Sequence, residues 1–305
     1  MNTAGNPPGH EPGSPTYHGL PAIKTPVWTW EVPAYFYAGG AAGAAATIGA
    51  VLQVLDSEDS ARLVRRCRDI AALGTTVGTA LLISDLGRPA RFLNMLRVFK
   101  PSSPLNVGSW ILTAATGLSI GAAVLSRGEG PLARMGELAG LGAGMLGPPL
   151  AGYTAVLLAA TAVPVWQEGR TTLPVLFIAS STGAACSLLE LGDFDETELT
   201  AVRRLGTIAQ VVELAAAKAV ERETGRVERV ARPYDEGLSG ALWKASGALT
   251  VVSLAVDQMT GKRKGGRVAA ALFGSAGSLA LRFSVWHAGR ASAADPRATF
   301  ESQRA

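Results

Sequence analysis

Apolar residues in this chain gather into blocks instead of alternating. Windows dominated by Ala, Gly, Leu and Val recur near 32–55, 69–86, 107–125, 138–163, 171–191, 199–219, 238–258 and 267–289. Each approaches the roughly 20 helical residues needed to cross a hydrocarbon core of about 30 Å. Lipid offers no partner to backbone N–H and C=O groups, so a spanning segment must satisfy its own, and segments this long and rich in Ala and Leu read as helices, not barrel strands. The pattern predicts an all-α integral membrane protein with about eight transmembrane helices in two halves, each like a four-helix bundle. The sixth and eighth windows also carry charges. Residues 1–26, rich in Pro, Gly and His and without the apolar stretch of a signal peptide, are expected to form a disordered arm, either solvated or strapped over a partner subunit. Residues 27–290 form the transmembrane domain and 291–305 a C-terminal tail.

Composition agrees with the pattern. With 48% hydrophobic residues, 17% charged residues and a mean hydropathy of +0.24, the chain is too apolar for a soluble domain of 305 residues. Its cations are placed unevenly. Arg62, Arg65, Arg66 and Arg68 separate spans one and two, and Lys262, Arg263, Lys264 and Arg267 separate spans seven and eight. Arg127, Arg134, Arg203 and Arg204 fall on that same side. The positive-inside rule makes it cytoplasmic and puts both termini outside the cytoplasm. Cations in the DLGRPARF loop and between Lys218 and Arg232 leave the bias incomplete; the second of these segments mixes both signs and reads as a helix extension beyond the bilayer. A net charge of +4 without a recognition motif gives no reason to expect nucleic acid.

Cys67 and Cys186 are the two cysteines, whereas an iron–sulfur cluster usually takes four thiolates. His10 and His18 lie in the arm and only His287 is near a span, so the paired axial ligands of a membrane haem are missing. No haem and no metal are expected in this chain; any electrons would pass through centres in partner subunits.

Ionisable residues inside spans carry the functional information, because each costs several kcal/mol in lipid unless paired or hydrated. On the expected topology Glu31, Asp85, Arg88, Glu213, Lys244, Arg282 and His287 lie toward the outer face, and Asp69, Glu137, Glu190 and Asp257 toward the cytoplasm. The outer set could hold a polar head group and handle its protons. Glu190, Asp257 and Glu213 could form a proton path, or each could be a structural ion pair or an interfacial helix end. Gly39 with Gly43, Gly74 with Gly78, and the run from Gly140 to Gly147 read as close helix contacts. Pro148 and Pro149 predict a kink or break in the fourth span, with Tyr153 one turn later.

Three segments carry a resemblance. VWTWEVPAYFYAGGAAGAAA at Val27 to Ala46, LLISDLGRPARFLNMLRVFKPSSPLNVGSWIL at Leu81 to Leu112, and GYTAVLLAATAVPVW at Gly152 to Trp166 together resemble the NrfD/polysulfide reductase membrane-subunit (PsrC-like) family. The DLGRP-RF-N element followed by GSW is the specific part. The resemblance implies a haem-free membrane subunit that exchanges electrons and protons between a quinone, menaquinone or ubiquinone as exchangeable substrate, and a ferredoxin-like iron–sulfur partner. That partner in turn serves a molybdopterin oxidoreductase or a multihaem cytochrome. Glu31, Asp85, Arg88, Asn94 and Tyr153 occupy the family's motif positions, with Trp28, Thr29, Trp30 and Glu31 where some relatives carry a histidine.

The expected roles follow from quinol chemistry, which must release two electrons and two protons. Tyr153 would orient a head-group oxygen, with Trp30 and Asn94 beside it, and Glu31 or Asp85 would exchange the proton. Arg88 would hold Asp85 ionised or anchor the loop; alternatively Asp, Gly, Arg and Pro at a span end simply make a capped turn. Arg91, Arg97 and Lys100 would contact acidic surface on the iron–sulfur subunit or anionic lipid, with Phe92, Phe99 and Met95 anchoring apolar patches. The competing class is a passive anchor or proton-conducting module without a quinone site; a secondary transporter is a third, for which no internal repeat is visible.

Overall fold

The computed structural model describes residues 22–55, 60–260 and 263–302. In chain order the helices are α1 (Glu31–Val54), α2 (Ala61–Asp85), α3 (Ala90–Met95), α4 (Pro104–Leu125), α5 (Pro131–Ala159), α6 (Pro164–Glu168), α7 (Leu173–Glu190), α8 (Glu196–Thr224), α9 (Glu228–Asp235), α10 (Gly237–Thr260), α11 (Lys264–Ala294) and α12 (Pro296–Ser302). Eight of these are long, and they match the eight windows. Six are long and apolar enough to cross a membrane: α1, α4, α5, α7, α10 and α11. The other two long helices, α2 and α8, carry charges near their starts, Arg62 to Asp69 and Glu196 to Arg204, which long side chains accommodate by reaching to the interface.

Successive long helices run antiparallel, giving the molecule two ends. The upper face holds the starts of α1, α4, α7 and α10; the lower face holds their ends. Helices α1, α2, α4 and α5 pack into one bundle and α7, α8, α10 and α11 into another, joined where α1 meets α7 and α11 and where α5 meets α7. The first bundle is built on close backbone approach. A Cβ at Gly43 would stand 2.6 Å from the carbonyl oxygen of Gly147, and one at Gly74 would stand 2.9 Å from that of Ala38. Burial of apolar area gives little drive in lipid, so such contacts carry helix association through dispersion.

Local signals explain the helix ends. Ser103 Oγ accepts the Asn106 N–H at 3.4 Å with Pro104 at the first helical position of α4, and Asp195 N–H donates to Glu198 Oε2 at 3.1 Å at the start of α8. Gly87, with φ of +66°, closes α2 as its N–H bonds the Ser84 carbonyl at 3.1 Å.

Three expectations change. α5 stays helical through Pro148 and Pro149, so of the expected kink or break it is the break that does not occur. α11 continues to Ala294, past the boundary at 290, and α12 follows it and packs near α9 and α6, so the segment called a tail is helical as far as Ser302. The extension after Lys218 ends at Thr224, and α9 then forms a separate short helix. Most of the expected arm, with His10 and His18, lies outside the described residues, as does Lys262. Residues 22–29 have no regular structure, but Trp28 stacks on Trp166 with ring centroids 5.9 Å apart. Trp166 is fully buried, and its indole N–H donates to the Val285 carbonyl at 2.9 Å, which ties the segment before α1 to α11.

Candidate functional site

At the upper face the first bundle brings two carboxylates to one hydroxyl. Thr29 precedes α1, and its Oγ1 lies 2.7 Å from Asp85 Oδ1 and in hydrogen-bond contact with Glu31 Oε2. Its backbone N–H also donates to Asp85 Oδ1, at 3.0 Å. Glu31 and Asp85, at opposite ends of α1 and α2 in sequence, thus form one acidic pair. A threonine hydroxyl brings a single proton, so it can donate to one of these oxygens at a time.

One turn below Glu31 on the same face of α1 is Tyr35, which is buried and packed on Gly39 and Gly78. Tyr153 of α5 lies within electrostatic reach of Tyr35. Its ring occupies space that only Gly108 of α4 leaves: a Cβ there would sit 1.9 Å from Tyr153 Cζ. Carboxylates above and two phenols below make a polar column on the inner side of the first bundle. A cavity of about 490 Å³ opens between Ile23–Trp28 and Thr161–Val163, and none of Thr29, Glu31, Asp85, Tyr35 and Tyr153 lines it.

The remaining upper-face residues fall elsewhere. Arg88 does not hold Asp85: it is exposed and forms no ion pair with it, because the left-handed turn at Gly87 redirects the chain outward. Arg91 anchors the loop through Nη1 to the Leu86 carbonyl at 3.1 Å. Trp30 is 58% exposed, and Asn94, Arg97 and Lys100 are also exposed. The loop is organised instead by Asn106, whose Nδ2 donates to the Met95 carbonyl at 2.6 Å and whose Oδ1 accepts the Lys100 N–H at 2.7 Å. Phe92 is buried beneath it, while Leu93, Val98 and Phe99 face outward among the cations.

The second bundle holds a ladder of buried polar groups. At its lower end Arg203 Nε donates to Asp257 Oδ1 at 2.7 Å and its Nη2 to the Asp257 carbonyl at 2.9 Å. Arg267 Nε donates to the Glu190 carbonyl at 2.9 Å. Glu190, Asp257 and Arg203 share a cavity of about 10 Å³ with Gln210, Ser187 and Ser253, roughly the space of a single water. Gln210 Nε2 donates to Ser253 Oγ at 3.0 Å. One turn up α8, Glu213 lies against Ser180, which bonds Ser278 Oγ at 3.0 Å. At the top Arg282 is 1% exposed; its Nη2 donates to the Phe177 carbonyl and to Ser181 Oγ, both at 2.9 Å, and its guanidinium lies 3.9 Å over the Phe177 ring. Tyr37 Oη meets Ser275 Oγ beside it. The structure thus brings Glu190 and Asp257 together and sets Glu213 above them.

Outside the spans, ion pairs tie the faces. Hydrogen bonding to Lys264 Nζ, at 3.1 Å, holds the Asp193 carboxyl below the usual carboxylate range, and Asp195 bonds Arg62 at 2.6 Å. Sequence reasoning missed Thr29, Tyr35, Asn106 and Gln210, none of which is charged. Thr29 was visible only as one of the four residues, Trp28 to Glu31, that stand where some relatives carry a histidine.

A family model described as "Polysulphide reductase, NrfD" matches residues 21–221. The chain belongs to the NrfD family. NrfD-family proteins are membrane subunits of quinone-interacting oxidoreductase complexes, typically alongside other redox subunits. The matched span takes in the Thr29–Glu31–Asp85 triad, both phenols, the 86–106 loop, and Glu190 and Glu213, but ends before Asp257 and Arg282. No curated protein matches the chain.

Proposed function

We propose that this NrfD-family protein is the haem-free subunit that exchanges electrons and protons between a membrane menaquinone or ubiquinone and a ferredoxin-like iron–sulfur partner, which serves a molybdopterin oxidoreductase or a multihaem cytochrome. The observation that carries the reading is the single Thr29 hydroxyl set between Glu31 and Asp85 above Tyr35 and Tyr153. Oxidising a quinol requires a proton acceptor within hydrogen-bond reach of its hydroxyls. The acidic pair supplies that acceptor at the membrane surface, and Tyr153 offers an O–H to a quinone carbonyl. Arg91, Arg97 and Lys100 stand on the same face, where an acidic partner surface would meet them, and Arg88 and Asn94 extend that face. In this reading the upper face is extracytoplasmic, the termini lie on that side, and the membrane is a bacterial inner membrane.

Two variants test it in the intact complex. Thr29→Val keeps shape and removes the shared hydroxyl, and Glu31→Gln removes the exchangeable charge. Each is expected to lower quinone-linked turnover by about 10²-fold, the scale of lost general acid–base catalysis, with dye-linked turnover of the catalytic partner unchanged. Quinone-linked turnover at the parental rate in both variants rejects the reading.

The ladder supports a second role, a proton path through Glu190, Asp257 and Glu213. Its discriminating measurement is proton uptake by proteoliposomes, which Glu213→Gln is expected to slow while leaving quinone-linked electron transfer intact. Equal uptake by parent and variant rejects it.

A further inference from the structure

An apolar groove of about 290 Å³ runs along the outside of the junction between the bundles, walled by α1, α2 and the lower end of α7 through Ala41, Leu73, Val77 and Leu188. Leu73 is 68% exposed and Val77 42%, so the groove is open to the surrounding lipid and not sealed within a helix bundle. Its two ends differ in chemistry. The inner end stops at Tyr37, whose hydroxyl is already taken by Ser275. The lower end reaches the membrane face at Arg66 and Asp69. Asp69 is neutralised by Arg127 Nη2 at 2.6 Å, while Arg66 is exposed and forms no ion pair with a described residue. The mouth of the groove is therefore cationic.

Length identifies the occupant. From Arg66 to Val77 the helix advances about 16 Å at 1.5 Å per residue, close to half of a hydrocarbon core of about 30 Å. A groove that starts at an exposed guanidinium on the interface and runs one leaflet deep between apolar walls fits one acyl chain of a lipid whose head group stays at the surface. We infer that the groove binds an anionic phospholipid of the lower leaflet, its phosphate on Arg66 and one acyl chain against α1, α2 and α7. This does not depend on the quinone reading.

The test is native mass spectrometry of the purified protein titrated with phosphatidylglycerol or with phosphatidylcholine of the same chains. The parent is expected to prefer phosphatidylglycerol. Arg66→Gln is expected to reduce that preference about five-fold, the effect of one cation near a membrane surface, leaving phosphatidylcholine binding in place. Leu73→Trp, at an exposed position that fills the groove, is expected to weaken both adducts, and Arg134→Gln, at another exposed site on the same face, neither. Equal loss in Arg66→Gln and Arg134→Gln, unchanged adducts in Leu73→Trp, or an adduct of isoprenoid mass displaced by Leu73→Trp but not by Arg66→Gln would each overturn the assignment.

Discussion

Arg282 is the charge whose removal has the most predictable effect, because nearly everything around it can be counted. Arg282→Met deletes two hydrogen bonds, to the Phe177 carbonyl and Ser181 Oγ, together about 1 kcal/mol at the average found in membrane interiors. It also deletes the contact of the guanidinium with the Phe177 ring, about 2 kcal/mol when desolvated. Glu213 provides the third contribution. The two groups are not in ion-pair contact, but each feels the other's charge. At an effective dielectric near 20 a contact pair gains about 4 kcal/mol, and a separated one about 2–3 kcal/mol. Against these stands release of a buried guanidinium whose Nε and Nη1 have no partner, which returns several kcal/mol.

The sign then rests on what Glu213 does once alone. Removing one member of a buried charge pair typically costs about 3–5 kcal/mol, whereas replacing both is often neutral. Arg282→Met should therefore destabilise the protein by about 3 kcal/mol, Glu213→Gln by about 2 kcal/mol, and the double variant by clearly less than their sum, with a coupling of about 2–3 kcal/mol. Reversible unfolding in mixed micelles, followed by circular dichroism, reads all three. If the double variant equals the sum of the singles to within about 0.5 kcal/mol, the charges do not sense one another and the reasoning is wrong.

Gly108→Ala should displace the Tyr153 ring, since its Cβ would lie 1.9 Å from Cζ; the expected result is a loss of about 1–3 kcal/mol in unfolding experiments with quinone-linked turnover falling as it does for Tyr153→Phe. Gly289→Ala places a Cβ 1.8 Å from Trp166 Cζ2, and should release the Trp28 stack, read as faster proteolysis of the segment before α1. Partial burial pushes Asp295 up, but hydrogen bonds from Arg229, at 2.7 Å, and from the Arg297 N–H outweigh it and hold the carboxyl below its ordinary value. A carboxyl depressed in the folded state contributes stability above the unfolded pKa of about 3.9 and loses it as pH falls below that; Asp295→Asn should lower thermal stability at pH 7 and leave it unchanged near pH 2.

Helix number and pairing were legible because each long helix answers to a block of apolar residues, including α2 and α8, whose charges lie mostly toward their ends. The acids of the upper site were legible for the same reason: Glu31 and Asp85 are out of place in lipid-facing sequence. What joins them was not. Thr29 reaches Asp85 across 56 positions, and a neutral hydroxyl outside the first helix leaves no mark in a pattern of charge and hydropathy. Arg88 failed for the opposite reason. Its spacing of three from Asp85 suits a helix, but α2 ends at Asp85 and Gly87 turns the chain away. The helical C-terminal segment was hidden by polar composition; α12 is held by burial of Ala298 and by the Arg229–Asp295 pair beside it, tertiary contacts that local sequence does not encode.

α1 carries the argument about how the two sites relate. Glu31 and Tyr35 lie one turn apart and face the first bundle, while Tyr37, two residues on, points about 200° away toward Ser275. Gly40 on that second side lies so near α7 that a Cβ would stand 2.4 Å from Ser181 Oγ, the group Arg282 holds. Among the described residues no run of side-chain hydrogen bonds crosses from the Thr29 triad to the ladder. A mechanical link is available in α1: a change in charge at Glu31 and Asp85 would shift the helix as a body, and the tight Gly40–Ser181 contact would pass that shift to Arg282. Packed interfaces respond to such displacements in steps, not by continuous yielding, so coupling of this kind would be all-or-none and lost when the contact is loosened.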